Sequence, residues 1–214
     1  IILQSKLVIS LFFNGDFSER LRLWQFLEDE LKTTVMATAA YQQKYKEPGH
    51  LLNIGFNYTF HREDEKYFFD NTTPAFTSED AFKLLSDEKV GDFNLDYVQP
   101  LKYGRIEGGV KFRRRTIPTN MQFFPGTNSA IDSTAGGWAT YKETIPALYG
   151  NYIFENPKFE SEIGLRVEYV EIQYEVNPDH NTYKSDGYDY TQPFPNVRLA
   201  YKINDHNKIS FFYC

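Results

Sequence analysis

The chain has 214 residues, a formal net charge of −6, and aromatic residues at 17% of its positions. With 41% hydrophobic and 24% charged residues it is too apolar for a disordered segment, and its acidic balance argues against a nucleic-acid partner. No apolar run approaches the roughly 18 residues of a transmembrane helix. A membrane β-barrel remains compatible with this composition, because half of its strand residues face a polar lumen.

The N-terminal residues alternate as a strand does. They lack the basic region and the small-residue cleavage site of a signal peptide, so we expect the chain to start within a fold. Residues 7–13 place their apolar side chains on one parity, and residues 14–16 predict a turn. Residues 17–31 combine near-helical spacing with an alternating RLRLWQF segment, and we favour a strand that continues toward Thr33. The single cysteine, Cys214, excludes an internal disulfide.

Residues 33–64 form the clearest pattern in the sequence, a long hairpin. In residues 52–60 every second side chain is apolar, and this period of two predicts a strand with one apolar and one polar face. Residues 35–41 alternate in the same way. The intervening KEPG at residues 46–49 is typical of a tight turn, because Pro presets φ and Gly tolerates positive φ.

Strands and polar segments alternate through the middle of the chain. Residues 61–91 are a long polar insert, in which residues 77–85 predict a short capped helix. Residues 93–97 and 106–113 predict two strands joined by a tight turn at residues 100–104. A second insert, residues 116–140, is rich in Pro, Gly, Asn, Ser and Thr, which predicts a loop.

The C-terminal part repeats this organisation. Residues 145–154 and 159–176 predict strands around a turn at Asn156-Pro157. Within the second strand the apolar parity changes after Tyr169, and such a slip predicts a β-bulge. A third polar insert spans residues 177–193. It is followed by the predicted strands 197–203 and 209–213, with a turn at residues 204–207 between them.

Short turns alternate strictly with long inserts, and this asymmetry predicts the fold class. A soluble β-sandwich has no reason for it, whereas an outer-membrane barrel has short periplasmic turns and long external loops. The strands also reach the roughly ten residues that cross a bilayer when tilted. We therefore predict an all-β, antiparallel transmembrane β-barrel of which about ten strands are present. Its apolar parity faces lipid and its polar parity faces the lumen, and a soluble β ligand-binding protein is the alternative.

Four segments resemble one family in their order and spacing. They are YQQKYKEPGHLLNIGFNYTFHREDE, FNLDYVQPLKYGRIEGGVKF, YKETIPALYGNY and EIGLRVEYVEIQY. Over about residues 35–213 the chain resembles the barrel portion of the TonB-dependent receptor-like outer membrane β-barrel family of Bacteroidetes. The resemblance implies a barrel of about 22 strands with an N-terminal plug, which imports a scarce nutrient using energy from a periplasmic partner.

The chain departs from this family in its extent. No plug domain and no TonB-contacting segment is present, so we expect residues 1–214 to be a partial outer-membrane barrel domain. The resemblance implies a siderophore, glycan or peptide as the nutrient. It implies outer-membrane lipid or lipopolysaccharide, a TonB-type energy-coupling protein and a surface lipoprotein as partners. The alternatives are a stand-alone small barrel with a structural or adhesive role, and a barrel hydrolase, whose Ser/His/Asp grouping is not visible.

The candidate ligand-binding residues are charged side chains on the lumenal parity or at the outer rim. Consecutive arginines at residues 113–115 form the strongest charge cluster, and guanidinium groups suit carboxylate and phosphate ligands. The alternatives are pairing with lipid headgroups or neighbouring acids at the rim, and a structural ladder of charges across neighbouring strands. The candidate site residues are Lys111, Arg113, Arg115, Arg166, Glu168 and Arg198.

The sequence predicts no catalytic, metal or cofactor site. The four histidines occur in no metalloenzyme motif. His61 is close to three acids at residues 63–65, but a hard cation needs more converging oxygens than adjacent residues provide. Asp179, Asp186 and Asp189 do not have the spacing of a calcium-binding loop. We therefore expect neither enzymatic activity nor a cofactor.

Overall fold

The described part of the chain is almost entirely β-strand. The computed structural model describes residues 2–13, 19–72, 77–129, 131–179, 183–204 and 207–213. Within them lie nine strands and a short 3-10 helix, Ser133–Ala135. The strands are β1 (Ile2–Phe13), β2 (Glu19–Lys44), β3 (Leu51–Thr72), β4 (Thr77–Leu101), β5 (Gly104–Phe124), β6 (Gly137–Glu155), β7 (Phe159–Val176), β8 (Asp186–Asn204) and β9 (Asn207–Tyr213). No helix in these ranges is long and apolar enough to span a membrane.

The strands form one antiparallel sheet in chain order, so each strand pairs with the strands before and after it. The predicted hairpin is confirmed, with Val35 of β2 directly opposite Phe60 of β3. Gly49 and Gly104 have φ values of 84° and 105°, which explains why glycine occupies these two tight turns. The predicted turn at residues 14–16 lies outside the described residues, as do the central residues of the turn at 204–207.

The insert predicted at residues 61–91 is wrong, because most of its residues pair as strands. β3 continues to Thr72 and β4 begins at Thr77, so the insert at residues 61–91 is a second half of the same hairpin. The predicted helix at residues 77–85 is part of β4. Pairing with a neighbouring strand satisfies the backbone of segments whose composition alone indicates a loop or a capped helix.

The other boundaries shift for the same reason. β5 extends to Phe124 and β6 begins at Gly137, which shortens the insert predicted at residues 116–140 to a connection that holds the 3-10 helix. β8 begins within the insert predicted at residues 177–193. The strand favoured within residues 17–31 is confirmed from Glu19 onward, as part of β2.

The β-bulge predicted after Tyr169 is wrong. β7 pairs with β8 in one unbroken register, with Tyr169 opposite Thr191 and Val170 opposite Tyr190. Among the described strands, a register shift occurs only between β8 and β9. The apolar parity of β7 therefore changes along a regular strand. Its cause is a change in what the two faces of the sheet contact.

The sheet is a single layer with little buried apolar surface. The buried apolar side chains among the described residues are Ala147, Ile153, Val170, Ile172 and Ala200. In the described ranges, strands contact their sheet neighbours and the 3-10 helix contacts β5, so no second layer covers either face. A soluble sandwich requires such a layer. β1 and β9 do not pair with each other within the described residues, so this sheet is open.

Candidate functional site

We name the two faces of the sheet after adjacent residues of β5, because successive strand residues point to opposite faces. On the Lys111 face, Lys111 lies opposite Asn94 of β4 and Ala147 of β6. On the Val110 face, Val110 lies opposite Leu148 of β6. Residues that lie directly opposite each other in neighbouring strands point to the same face, so the register assigns each residue from β2 to β8 to one of these two faces.

An exposed apolar band crosses the Val110 face on the side of the tight turns, and we call this level of the sheet the belt. The belt comprises residues 35–41, 52–60, 93–98, 106–112, 146–152, 163–169 and 193–203. Within it Leu148 is 63% exposed and Ile163 is 54% exposed. Contiguous apolar surface of this extent does not face water in soluble monomers. The belt therefore requires an apolar medium on its Val110 face.

Farther from the tight turns the strands continue as what we call the distal extension. It comprises residues 27–34, 61–72, 77–91, 114–124, 137–144, 170–176 and 186–192. Its Val110 face is charged. Arg62 donates two hydrogen bonds to Asp87, at 2.6 and 2.7 Å, which hold the pKa of Asp87 below its usual range. Lys142 pairs with Glu175 at 2.5 Å. At this level the Val110 face suits water.

Four of the six predicted site residues meet in one pocket of about 420 Å³ on the Lys111 face, where the belt meets the distal extension, namely Lys111, Arg113, Arg166 and Glu168. The Arg113 Nε donates to Asp92 at 2.7 Å, and the Arg166 Nε lies 2.6 Å from the Glu168 carboxylate. Lys111 has no ion pair or hydrogen bond with any described residue. The pocket thus offers one ammonium group without a partner beside two ion pairs, which suits a polar or anionic group.

The other two predicted site residues lie elsewhere on the Lys111 face. Arg115 lies in the distal extension, two residues beyond Arg113 on β5, and donates its Nε to Glu88 at 2.5 Å. Arg198 lies toward the tight turns, with its Nη2 3.3 Å from Glu160. The predicted set is therefore spread along the sheet and does not form one site. The pairing of both arginines supports the structural ladder weighed as the alternative.

A tyrosine bridge that the sequence did not indicate crosses the belt on the Lys111 face. Tyr149 of β6 reaches over β5 and donates its hydroxyl to Asp96 of β4. A Cβ at Gly109 would lie 2.8 Å from the Tyr149 ring and would also meet the Leu95 carbonyl. The missing side chain at Gly109 therefore makes room for the bridge. Only the strand pairing shows this relation, because the three residues are distant in sequence.

Aromatic side chains gather on the Lys111 face of the distal extension. In the first group, the rings of Tyr67 and Phe82 stack with centroids 4.2 Å apart. Phe69 and Phe123 lie 5.4 and 5.8 Å from the Phe82 ring. These rings lie on the Lys111 face, which is polar at the level of the belt. The apolar and polar faces of the sheet thus exchange places between the belt and the distal extension.

The second aromatic group is the tyrosine cluster, which we define as Tyr141, Tyr174, Tyr188 and Tyr190. The rings of Tyr141 and Tyr174 have centroids 5.3 Å apart, and the rings of Tyr188 and Tyr190 lie 6.3 Å apart at an angle of 13°. Tyr141 donates its hydroxyl to Glu143 at 2.7 Å. Burial and this carboxylate raise the pKa of Tyr141 to about 12, so its hydroxyl stays protonated at neutral pH.

Carboxylates surround both aromatic groups. On the Lys111 face of the distal extension, cationic side chains are far fewer than acidic ones within the described residues. The acidic residues are Glu28, Glu30, Glu63, Glu65, Asp80, Glu88, Glu143 and Asp186, and the basic residues are Lys32 and Arg115. This part of the sheet therefore carries net negative charge.

Three of these carboxylates, Glu28, Glu30 and Glu65, place ligand atoms within 4.8 Å of one another. The Lys32 ammonium lies 2.6 Å from Glu30 and lowers its pKa, and the Tyr67 hydroxyl donates to Glu65 at 2.8 Å. Burial raises the pKa of Glu65. Lys32 and Tyr67 already satisfy this cluster, so its geometry is explained without a metal ion.

The residues weighed in the sequence as metal ligands do not converge. The Nδ1 atom of His61 lies 2.7 Å from the Thr34 hydroxyl, and its Nε2 atom lies 3.2 Å from Glu63. Asp186 is opposite Tyr174 on the Lys111 face, whereas Asp189 points to the Val110 face.

Comparison with known proteins identifies the family to which this sheet belongs. The sequence profile of the outer membrane protein beta-barrel family matches residues 43–214. The chain belongs to this family. None of the curated proteins compared with the chain matches it in sequence.

Among solved structures, the unliganded ferric citrate transporter FecA has a TM-score of 0.53 and 13% identity, covering 95% of this chain and 34% of FecA. The alcaligin outer membrane receptor FauA from Bordetella pertussis has a TM-score of 0.41 and 13% identity, covering 95% of this chain and 41% of FauA. The chain thus spans about a third of the length of FecA. At 13% identity the likeness to FecA concerns the fold alone.

Membership of the outer membrane protein beta-barrel family indicates which medium each face of the sheet contacts. The predicted antiparallel outer-membrane barrel fold is confirmed, although the described sheet is open. In such barrels an outward apolar band meets lipid and the interior is polar. The Val110 face of the belt therefore contacts the hydrocarbon, and its Lys111 face lines the lumen. The distal extension lies beyond the hydrocarbon, where its charged Val110 face meets water.

Proposed function

We propose that this chain forms part of the barrel wall of a TonB-dependent-type receptor, which imports a nutrient across the outer membrane. The observation that carries the proposal is a lipid-facing belt continued by a long distal extension in which the two faces exchange polarity. A receptor needs a wall above the membrane on which to capture its ligand. The likeness of the fold to FecA supports the proposal.

We infer that further strands complete the barrel. The described sheet has two free edges, at β1 and β9. Unpaired backbone groups in hydrocarbon cost several kcal/mol each, so spanning sheets close. The resemblance to the Bacteroidetes receptor family supports a ring of about 22 strands around a plug. A TonB-type energy-coupling protein and a surface lipoprotein belong to the same proposal.

The pocket around Lys111 contributes to this function as a polar contact in the lumen. Lys111, Arg113, Arg166 and Glu168 are placed to hold a polar or anionic group of whatever fills the lumen at belt level, whether a plug or the nutrient. Arg115 and Arg198 act in the wall through their pairs with Glu88 and Glu160. No catalytic step is part of the proposal, and the nutrient is a siderophore, a glycan or a peptide.

Surface labelling of the native polypeptide that contains this chain tests the orientation. In a Cys214→Ser background, Gln173→Cys lies in the distal extension and Lys102→Cys lies in a tight turn. With a membrane-impermeant maleimide on intact cells, we expect rapid labelling of Gln173→Cys and labelling of Lys102→Cys only after lysis. Equal labelling of both sites in intact cells would contradict the orientation.

Growth on single limiting nutrients tests the transport role. We expect a strain that lacks the gene to lose growth on one nutrient, and a strain that lacks the energy-coupling protein to lose growth on the same nutrient. Restoration by the wild-type gene is the control. Normal growth throughout, together with lost surface attachment, would instead establish the stand-alone adhesive barrel.

A further inference from the structure

The tyrosine cluster is an exposed aromatic surface, and a general role in nutrient transport does not explain why it is aromatic. Tyr174, Tyr188 and Tyr190 are 41%, 52% and 46% exposed. Beside them Val170 and Ile172, only 5% and 8% exposed, form an apolar floor on the same face. Rings exposed around an apolar floor lose free energy in water and gain it when a ligand covers them. They indicate a surface that a ligand covers.

The strand register arranges the rings and carboxylates in rows. Tyr141 of β6 lies opposite Tyr174 of β7, which lies opposite Asp186 of β8. In the adjacent row, Glu143 and Tyr188 lie on either side of β7. A ligand resting on the Tyr188 ring therefore has a carboxylate within reach on each side. Rigid strands hold these groups, so the surface is formed before the ligand arrives.

Charge complementarity selects the class of ligand. The nearest cation on this face, Arg115, lies directly opposite Glu143 in the register and donates its Nε to Glu88 at 2.5 Å, so Glu88 balances its charge and Asp186 is the carboxylate farther from it. The faces of aromatic rings attract cations, and the surrounding carboxylates do the same. Both features repel anions. At belt level, where Lys111 has no partner among the described residues, this preference ends. The attraction is therefore confined to the mouth of the barrel.

We propose that the tyrosine cluster binds an organic cation that carries an aromatic ring, and that the mouth of this barrel thereby discriminates against anionic nutrients. The ring stacks on Tyr188 and Tyr190, and the positive charge lies toward Glu143 and Asp186. This inference rests on the proposed function, because it assumes that the Lys111 face of the distal extension is the solvent-filled interior of the barrel mouth.

A matched pair of cysteines measures the charge preference. Ala139→Cys lies on the Lys111 face beside the tyrosine cluster, and Thr140→Cys lies at the same height on the Val110 face. Each is made with Cys214→Ser in the native polypeptide, purified into nanodiscs of zwitterionic lipid. Cationic trimethylammonium-ethyl and anionic sulfonato-ethyl methanethiosulfonate are the probes. We expect the cation-to-anion rate ratio at Ala139→Cys to exceed that at Thr140→Cys by about tenfold, and the excess to fall in 1 M salt. Equal ratios would overturn the proposal.

Protection of Ala139→Cys then tests the requirement for a ring. Benzyltrimethylammonium, tetramethylammonium and benzenesulfonate are compared for their ability to slow modification by a neutral methanethiosulfonate. We expect benzyltrimethylammonium to protect most strongly and benzenesulfonate not to protect. Paired Tyr188→Leu and Tyr190→Leu substitutions should remove the protection, and labelling of Gln173→Cys on cells shows that this variant still assembles. Protection by benzenesulfonate that equals or exceeds that by benzyltrimethylammonium would overturn the proposal.

The two proposals fail in different ways. If the distal extension is not at the cell surface, labelling of Gln173→Cys on intact cells fails first, and the transport proposal falls with it. If that labelling succeeds and none of the three probes protects Ala139→Cys, the barrel placement stands and the organic-cation site is wrong.

Discussion

The belt and the distal extension are built from the same strands in the same register, yet their faces have opposite polarity. On β7, Ile163 and Leu165 of the belt are 54% and 48% exposed on the Val110 face. A few residues farther along, Val170 and Ile172 are 5% and 8% exposed on the Lys111 face. The pairing of β7 with β8 is continuous between these points. The exchange therefore marks the level at which the strand leaves the hydrocarbon.

This contrast shows that a change of parity in an alternating sequence has two distinct physical causes. A β-bulge turns the side chains over while their surroundings stay the same. Here the side chains keep their orientation while lipid gives way to water on one face, and the polar lumen gives way to an aromatic wall on the other. In this sheet, the change of apolar parity without a register shift marks the boundary between the belt and the distal extension.

The largest effect should come from placing a charge on the Val110 face at the two levels. Leu165→Arg in the belt should destabilise the folded barrel by about 2–4 kcal/mol, because the guanidinium loses water on entering hydrocarbon. The matched variant Gln173→Arg lies on the same face in the distal extension and should change stability by less than about 0.5 kcal/mol. Urea-induced unfolding of the native polypeptide from lipid vesicles measures both variants. Similar losses for both variants would show that no lipid boundary lies between them.

A smaller effect should separate two adjacent glycines of the belt. Gly109→Ala places a Cβ against the Tyr149 ring and the Leu95 carbonyl, so we expect a loss of about 1–3 kcal/mol in unfolding free energy. Gly108→Ala points to lipid, where the nearest atom to its Cβ is the Tyr149 carbonyl oxygen at 3.4 Å. It should be neutral within about 0.5 kcal/mol in the same vesicle assay. If Gly109→Ala is as mild as Gly108→Ala, the tyrosine bridge does not constrain the wall.

The smallest effect should come from the ion pair between Arg62 and Asp87 on the Val110 face of the distal extension. The Arg62 side chain is 47% exposed, so Asp87→Asn should cost less than about 1 kcal/mol at pH 7. Because the folded pKa of Asp87 is lowered, the stabilisation is complete above its unfolded pKa of about 3.9 and is lost as pH falls through the folded pKa.

Unfolding at pH 7 and near pH 2.5 measures this difference. Asp70→Asn, on the same face and without an ion pair in the described residues, is the control for removing a carboxylate from this face. A cost of several kcal/mol for Asp87→Asn would place this pair in a low-dielectric medium. In that case the hydrocarbon would extend farther from the tight turns than Arg62 of β3.

The belt was predictable because each of its faces contacts a single medium. Leu52, Ile54 and Phe56 alternate with polar neighbours, and this pattern identified the hairpin and its face toward lipid. The distal extension was missed because both of its faces mix charged, aromatic and small residues. Such a composition resembles a loop, as in residues 61–91. Continuation of the alternation from Tyr67 to Phe69 was a signal, but nothing in the sequence identified its partner, Phe82.

The candidate site was predicted only in part. Parity placed Lys111, Arg113 and Arg166 on one face, and the structure brings them together in one pocket. Parity is a property of each strand alone, so it could not show that Arg115 and Arg198 do not line that pocket. The tyrosine cluster depends on residues of three strands meeting in register, which the sequence does not specify.

By itself the sequence determined the strand class of the fold, the tight turns, and which parity of each belt strand is apolar. These follow from local chemistry, namely the two-residue period of a strand and the backbone freedom of Gly49 and Gly104. Only the tertiary structure decided where the strands end, that β7 has no bulge, and which side chains meet across strands. Those outcomes depend on cross-strand hydrogen bonds between residues far apart in the chain, and no local pattern encodes them.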